Sequence, residues 1–233
     1  MTSQYIGTEL EVFAHATNWK NYYAVIIDPY LKGKVLEVGA GIGMTTKVLC
    51  QGNYDKWICL EPDSLLLATI EELICTGELP SCCEARIGTI SELNENSLNT
   101  IIYIDVLEHI KHDQDELQNS FNSLAIGGNL IILSPAHQWL YSPFDKKIGH
   151  YRRYTKKSLA SIIPPGFRCV KFIYIDSVGM LASIANKMLL KSSTPSVKQI
   201  LFWDRVMVPI SKIIDQLLFF SVGKSVIGIW EKI

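Results

Sequence analysis

The run Glu37-Val38-Gly39-Ala40-Gly41-Ile42-Gly43 constrains this chain more than any other feature. It follows Lys34 to Val38, a β-branched apolar run that reads as a strand, and precedes Met44 to Cys50, which has helical character. Glycines at a strand-to-helix turn let the backbone bend sharply and approach a ligand with no Cβ in the way. The helix N-terminus beyond offers unpaired N–H donors to a polar or anionic group. A dinucleotide turn of the form G-x-G-x-x-G would need glycine where the chain has Met44, so the run is G-x-G-x-G instead. Eighteen residues past Gly43, Glu61 follows a second strand candidate, Trp57 to Leu60. A carboxylate in that place can accept hydrogen bonds from both hydroxyls of a ribose.

The strand and helix theme repeats. Pro62-Asp63-Ser64 opens a helix to about Cys75, and Cys82 to Ile87 is a third strand. Thr100 to Ile104 is a fourth, the amphipathic stretch Glu116 to Ala125 ends at Gly127-Gly128, and Asn129 to Leu133 is a fifth. Such alternation predicts an α/β fold with a doubly wound, mostly parallel, seven-stranded sheet and right-handed crossovers. After Pro135 comes a long polar and aromatic loop, then a short helix capped by Thr155. Phe167 to Ile175 and Ser225 to Trp230 read as strands six and seven. Between them, Gln199 to Phe220 reads as a helix with a narrow polar stripe (Asp204 and Arg205, Ser211 and Lys212, Asp215 and Gln216), kinked or restarted at Pro209.

These readings give a single domain over 1–233. It divides into an N-terminal helical cap (1–30), a cofactor-binding half (31–135), a substrate loop with strand six (136–175), a helical insertion (176–222) and the last strand (223–233).

Composition bounds the function classes. With 48% hydrophobic and 19% charged residues, wholesale disorder is excluded. Asp176, Asn186, Lys187, Lys212 and Asp215 break the most apolar region, which argues against a bilayer-spanning helix. The start MTSQYIGTELEVF lacks the basic and apolar regions of a secretory signal, so a cytoplasmic protein is expected. Cys50, Cys59, Cys75, Cys82, Cys83 and Cys169 form no Cys-x-x-Cys pair and are expected as buried free thiols.

Net charge is −1, yet residues 1–145 carry 7 Lys/Arg against 19 Asp/Glu, and residues 146–233 carry 15 against 4. The basic half points to an anionic partner. Nucleic acid is not expected, because the basic cluster from Lys146 to Lys171 is local and the half with the glycine turn is acidic.

With its acidic residue before G-x-G-x-G and its acid after the second strand, the chain resembles the class I S-adenosylmethionine-dependent methyltransferases from about Trp19 to the last strand. The resemblance implies S-adenosylmethionine as cofactor and S-adenosylhomocysteine as product. It implies that Gly39, Ala40, Gly41 and Gly43 line the methionine and ribose, with Glu61 and Pro62 at the ribose. Glu37 would brace the turn or contact the amino acid end. Thr89 stands where many members have an adenine-binding Asp, a departure from the family pattern. Asn18 to Tyr23 matches a segment that covers the cofactor in related enzymes, with Trp19 and Tyr23 expected in the core.

Asp105-Val106-Leu107-Glu108-His109-Ile110 resembles the motif after strand four of small-molecule methyltransferases. It implies that Asp105 and His109 line the site, while Glu108, at the start of the next helix, is expected as its cap. Ubiquinone-pathway and small-RNA methyltransferases hold a divalent metal with a similar motif, and Asp105, Glu108, His109 and His150 would supply those ligands here.

The segments Trp139 to Asp145 and Gly149 to Tyr154 resemble the substrate loop of a bacterial subgroup similar to enzymes acting on glycans or polyprenyl-linked sugars. There Tyr141, Arg152, Arg153 and Tyr154 are substrate-binding candidates. His150, then His109, and Asp145 are candidates to take a proton. The opposing expectation pairs the arginines with Asp113, Asp115 or Glu116.

The acceptor expected is an anionic or ring-containing small molecule, sugar or lipid-linked group, methylated on O or N. The insertion is open to packing on the sheet, a lid, a dimer interface or peripheral contact with the inner membrane face. Two rivals stand beside this reading. One is a non-catalytic adenosyl-binding or membrane-associated protein. The other is a nicotinamide-dependent oxidoreductase, opposed by the missing third glycine and the lack of a Tyr-x-x-x-Lys relay.

Overall fold

The computed structural model describes residues 9–93, 95–185 and 196–233. Parts of the expected N-terminal cap (1–8) and of the insertion (186–195, with Asn186 and Lys187) lie outside the described residues. Seven strands form one sheet: β1 (Lys34–Val38), β2 (Lys56–Glu61), β3 (Cys83–Ile87), β4 (Leu98–Ile104), β5 (Leu124–Pro135), β6 (Phe167–Ile175) and β7 (Ser225–Lys232). Their order is β3-β2-β1-β4-β5-β7-β6, with β7 antiparallel to both neighbours and the remaining pairs parallel. The strand order reverses between β1 and β4, so the C-terminal ends of these parallel strands flank the crevice where open parallel sheets bind ligands.

Helices α1 (Glu9–Ala14), α2 (Thr17–Ile27), α3 (Thr46–Leu49), α4 (Ser64–Cys75), α5 (Asp113–Ser123), α6 (Pro143–Lys147), α7 (Lys156–Ala160), α8 (Ser177–Ala185), α9 (Val197–Phe202) and α10 (Val208–Leu217) cover the sheet or cap its edge. Two buried clusters lie on its two faces. One gathers Trp19, Tyr23, Trp57, Ile102, Ile131 and Trp203, the other Leu36, Tyr103, Leu117, Leu130, Tyr154 and Trp230. Trp19 and Tyr23 are therefore core residues, as expected.

Three local readings need correction. The helix expected over Met44 to Cys50 is only the short α3, because the three-glycine turn delays helical backbone until Thr46. The fifth strand starts at Leu124 and absorbs Gly127-Gly128, since Leu124 already pairs with Leu98 of β4 and its carbonyl accepts from Lys232 Nζ at 2.7 Å. Of the expected buried thiols, Cys75 and Cys169 are exposed: Cys75 ends an amphipathic helix, and Cys169 lies on the outer strand β6.

The insertion docks through its polar stripe. Asp204 accepts hydrogen bonds from the Asn18 and Trp19 amides at 3.2 and 2.8 Å and so caps α2. Asp215 accepts the Asp176 and Ser177 amides at 2.6 and 3.0 Å, and the Tyr22 hydroxyl at 2.8 Å. Both carboxylates are buried. A π-helical turn over Trp203–Met207 joins α9 to α10, and Pro209 sits in the first turn of α10, where its missing N–H costs no helical bond.

Candidate functional site

The glycine turn is tied to the second strand. The Gly39 and Ala40 amides donate to the Leu60 carbonyl at 2.8 and 3.1 Å, and the Gly41 amide to Glu61 Oε2 at 2.8 Å. Gly39 has φ +66°, and a Cβ there would lie 2.7 Å from Val106 Cγ2, so no larger residue fits without displacing the loop after β4. Leu10 of α1 lies against Gly41, and Lys20 Nζ donates to the Phe13 carbonyl at 2.6 Å, so the N-terminal cap folds over the turn. Burial pulls Lys20 down to about 8, opposed by Asp204 and Asp105. Lys20 is a charged neighbour of Asp105 that the sequence reading passed over, although it lies inside the Asn18 to Tyr23 match.

Glu37 braces this turn. Its Oε2 accepts from Thr46 Oγ1 at 2.7 Å and Trp57 Nε1 at 2.8 Å, joining β1 to α3 and β2, and burial pushes it up to about 7. Glu61 is buried, with Oε2 on the Gly41 amide and Oε1 on the Asp63 amide. Each oxygen keeps a second lone pair for a ribose hydroxyl. Pro62 follows it at the start of the β2 to α4 connection. Thr89 caps a short helical turn with Glu92 and lines a depression of about 240 Å³ with Leu60, Arg86, Ile87, Glu92 and Leu93.

Asp105 ends β4 in a left-handed conformation, φ +54°, its amide held by the Leu133 carbonyl at 2.8 Å. Such backbone costs of order 1–3 kcal/mol and persists where the surroundings impose it. The residue is exposed overall, though neighbouring groups desolvate its carboxylate. That desolvation, opposed by His150, Lys224 and Lys20, pushes it up to about 6.

Glu108 does not cap α5. Its side chain turns inward, fully buried, and Oε2 accepts from Ser134 Oγ at 3.0 Å. Oε1 has no hydrogen-bond partner and lies 3.8 Å from His150 Nε2. Burial, with Asp105 nearby, raises its pKa well above the carboxylate range.

The loop after β5 carries the rest. His150 Nδ1 lies 3.0 Å from Asp145 Oδ1, and Asp145 also accepts Arg153 Nε and Nη2 at 2.9 Å each and the Ser142 hydroxyl at 2.7 Å. Burial opposes ionisation of Asp145, but these donors prevail and hold it down to about 2. An ionised Asp145 requires a proton on Nδ1, which leaves Nε2 of a neutral His150 as the bare, accepting nitrogen. Tyr141 supports the arrangement by donating to the His150 carbonyl at 2.6 Å. Arg153 Nη1 is buried and without a partner, a free donor beside the dyad.

His109 packs edge-on against His150, ring centroids 4.5 Å apart, and burial with the neighbouring His150 lowers it to about 3.

Two substrate-binding candidates make contacts within the protein. Tyr154 is buried in the second core cluster and donates to Asp113 Oδ2 at 2.7 Å. Arg152 pairs with the same carboxylate at 2.5 Å and with the Lys111 carbonyl at 2.8 Å. The expected pairing of an arginine with Asp113 thus holds for Arg152, because Asp113 begins α5 directly beside the loop, while Arg153 turns to Asp145.

Comparison with known proteins agrees with this geometry. A family model described as a methyltransferase domain matches residues 36–132. No curated protein matches the sequence. Solved structures with the same fold include a geranyl diphosphate methyltransferase in complex with S-adenosylmethionine, at 9% identity over 97% of this chain and 91% of that one, TM-score 0.68. A putative methyltransferase from Haloferax volcanii, in complex with the activator Trm112, is 11% identical over 99% and 97% of the two chains, TM-score 0.64. The cyclase SpnF is 14% identical over 91% and 81%, TM-score 0.63. The matched domain begins at Leu36, within β1, and ends within β5, so it spans the glycine turn, Glu61 and the Asp105 to His109 motif. Residues 36–132 thus match a methyltransferase domain, and the complete seven-stranded order around them gives the chain the same fold as these solved structures.

Proposed function

We propose that the enzyme methylates a hydroxyl oxygen of an anionic acceptor and that His150 removes the hydroxyl proton. The observation that carries this reading is the Asp145–His150–Glu108 arrangement, with Nδ1 on an ionised carboxylate and Nε2 3.8 Å from the partnerless Glu108 Oε1. That gap is too long for a direct hydrogen bond, yet one oxygen atom can lie within about 2.8 Å of both groups.

S-adenosylmethionine supplies a methyl group already activated by the sulfonium, so the protein's part is positioning and proton removal. In this reading Gly39, Ala40, Gly41 and Gly43 hold the methionine and ribose. Glu61, next to Pro62, accepts the ribose hydroxyls, and Thr89 lies at the adenine end. Asp105 faces the cofactor from β4. Arg153 Nη1 meets the acceptor's negative charge, a role that its orphaned donor supports.

A divalent ion is the second reading. Glu108, His109 and His150 each offer one donor atom, all within 4.8 Å of one another, and the orphaned Glu108 Oε1 fits such a set, whereas Asp105 is not part of it. An ion there would acidify the acceptor hydroxyl directly. Loss of turnover in EDTA, restored by Mg²⁺, would favour the ion. Unchanged turnover leaves His150 as the base.

The insertion supports a lipid-linked acceptor reached at a membrane surface. Because Asp204 and Asp215 point inward, Phe202, Val206, Ile210, Ile213 and Leu217 form one exposed apolar stripe, 43 to 72% accessible. Among the described residues between 177 and 230, the charges reaching solvent are Lys198, Arg205, Lys212 and Lys224, all cationic. Beside α10 a groove of about 330 Å³ carries Lys171 and Lys212 among Tyr22, Tyr30 and Phe220. Apolar side chains framed by cations fit an anionic lipid interface. No described helix is long and apolar enough to cross a membrane.

Transfer of labelled methyl into a cell extract, separated into aqueous, organic-soluble and protein fractions, tests the acceptor. Label in the organic phase supports a lipid-linked hydroxyl. Label confined to the aqueous phase replaces it with a free sugar or metabolite.

A further inference from the structure

The sequence offers no Cys-x-x-Cys pair, yet the fold assembles a cluster of thiols far from the crevice. Cys50 ends α3, Cys82 precedes β3 and Cys83 opens it. The Cys50 sulfur lies 3.6 Å from those of both Cys82 and Cys83, and all three lie within 4.8 Å of one another. A fourth sulfur, Cys59 of β2, lies 3.6 Å from Thr46 Oγ1.

A disulfide would bring two sulfurs to about 2.05 Å and leave the third without a partner. In a tetrahedral thiolate site with metal–sulfur bonds of about 2.3 Å, adjacent sulfurs stand about 3.8 Å apart, close to the spacing seen here.

We propose that Cys50, Cys82 and Cys83 form a binding site for a soft, thiophilic metal ion of the Zn²⁺ or Cd²⁺ class, with Cys59 as the adjoining sulfur on the sheet side. The donors are all sulfur, with neither carboxylate nor imidazole in the group, which disfavours Mg²⁺ and Ca²⁺. Cys50 and Cys83 are buried while Cys82 is partly accessible, which gives an ion a path inward.

The placement makes the site structural. Cys83 pairs with Trp57 near the start of β2, while the crevice lies beyond Glu61 at the end of the same strand. The ion would fasten α3 to β3. It would reach the glycine turn only through Cys59, Thr46 and Glu37, the last two joined by a 2.7 Å hydrogen bond.

The test titrates Cd²⁺ alone into the reduced full-length protein. The expected result is an ultraviolet sulfur-to-cadmium charge-transfer band that saturates at one equivalent, with a rise in the thermal unfolding midpoint. Cys82→Ser should abolish the band, and the double change Cys75→Ser with Cys169→Ser should leave it. Since Cys82→Ser could also disturb folding, alkylation of the wild-type protein gives a second readout. One equivalent of Cd²⁺ should protect the partly accessible Cys82 from a maleimide while Cys75 and Cys169 react. Absence of the band in folded, reduced protein, its survival in Cys82→Ser, or equal alkylation with and without Cd²⁺ overturns the proposal.

Discussion

Asp145 and His150 face each other across 3.0 Å, and the carboxylate that orients the imidazole is itself gripped by Nε and Nη2 of Arg153. The pair stands five positions apart in sequence, and the Ser142 cap on α6 fixes the short helix that brings them together.

Asp145 is held down to about 2, below the ordinary aspartate value near 3.8. Its interactions therefore contribute stability above about pH 4, and that contribution is lost as pH falls from there through 2. Asp145→Asn should lower unfolding stability by on the order of 2 kcal/mol at neutral pH. In urea titrations the gap between wild type and variant should stay constant from about pH 7 to 5 and narrow below about 4. A gap that persists unchanged at low pH would contradict this assignment.

Gly39→Ala should weaken the cofactor site and the fold together. The new methyl meets Val106 at 2.7 Å, and φ of +66° is strained for alanine, so a loss of about 1–3 kcal/mol in stability is expected with weaker S-adenosylmethionine binding. Adding Val106→Ala should recover part of the loss by removing the clash, as read by thermal unfolding and calorimetric titration. No recovery would mean that the backbone strain alone sets the cost.

The glycine turn, Glu61 and the alternating strands were legible in the sequence because strand, turn and helix are local patterns with their own residue requirements. Glu108 was not. An acid that begins a helical turn reads as a cap, and only the pairing of β4 with β5 brings Ser134 to its carboxylate. Arg152 and Arg153 are adjacent and chemically alike, yet backbone direction sends one to Asp113 and the other to Asp145. Periodicity found the polar stripe of Asp204, Ser211 and Asp215 but could not say which side of the helix meets the protein. Backbone amides waiting at the starts of α2 and α8 decide it.

Arg153 and Tyr154 should separate cleanly in kinetics. Arg153→Lys keeps a cation but loses the fork, so KM for an anionic acceptor should rise roughly tenfold or more. Tyr154→Phe leaves Asp113 short of a donor and should lower stability by about 1–2 kcal/mol with KM unchanged. Steady-state kinetics beside thermal unfolding on both variants would check this, and an unchanged KM in Arg153→Lys would remove that residue from acceptor binding.

Ile213 and Leu217 are 65 and 72% exposed on α10. Changing both to Asp should leave the unfolding midpoint within about 0.5 kcal/mol of wild type, as for surface positions, while abolishing co-sedimentation with vesicles containing anionic lipid. Wild-type protein that fails to pellet with such vesicles would exclude the membrane reading.

The most direct test of the central claim is the rate of methyl transfer by His150→Ala at saturating S-adenosylmethionine, with cofactor affinity measured alongside. Removal of a general base should lower kcat by about 10²- to 10⁴-fold while the cofactor dissociation constant stays near the wild-type value. A variant that binds the cofactor normally and turns over at the wild-type rate would contradict the assignment and leave positioning alone as the source of catalysis.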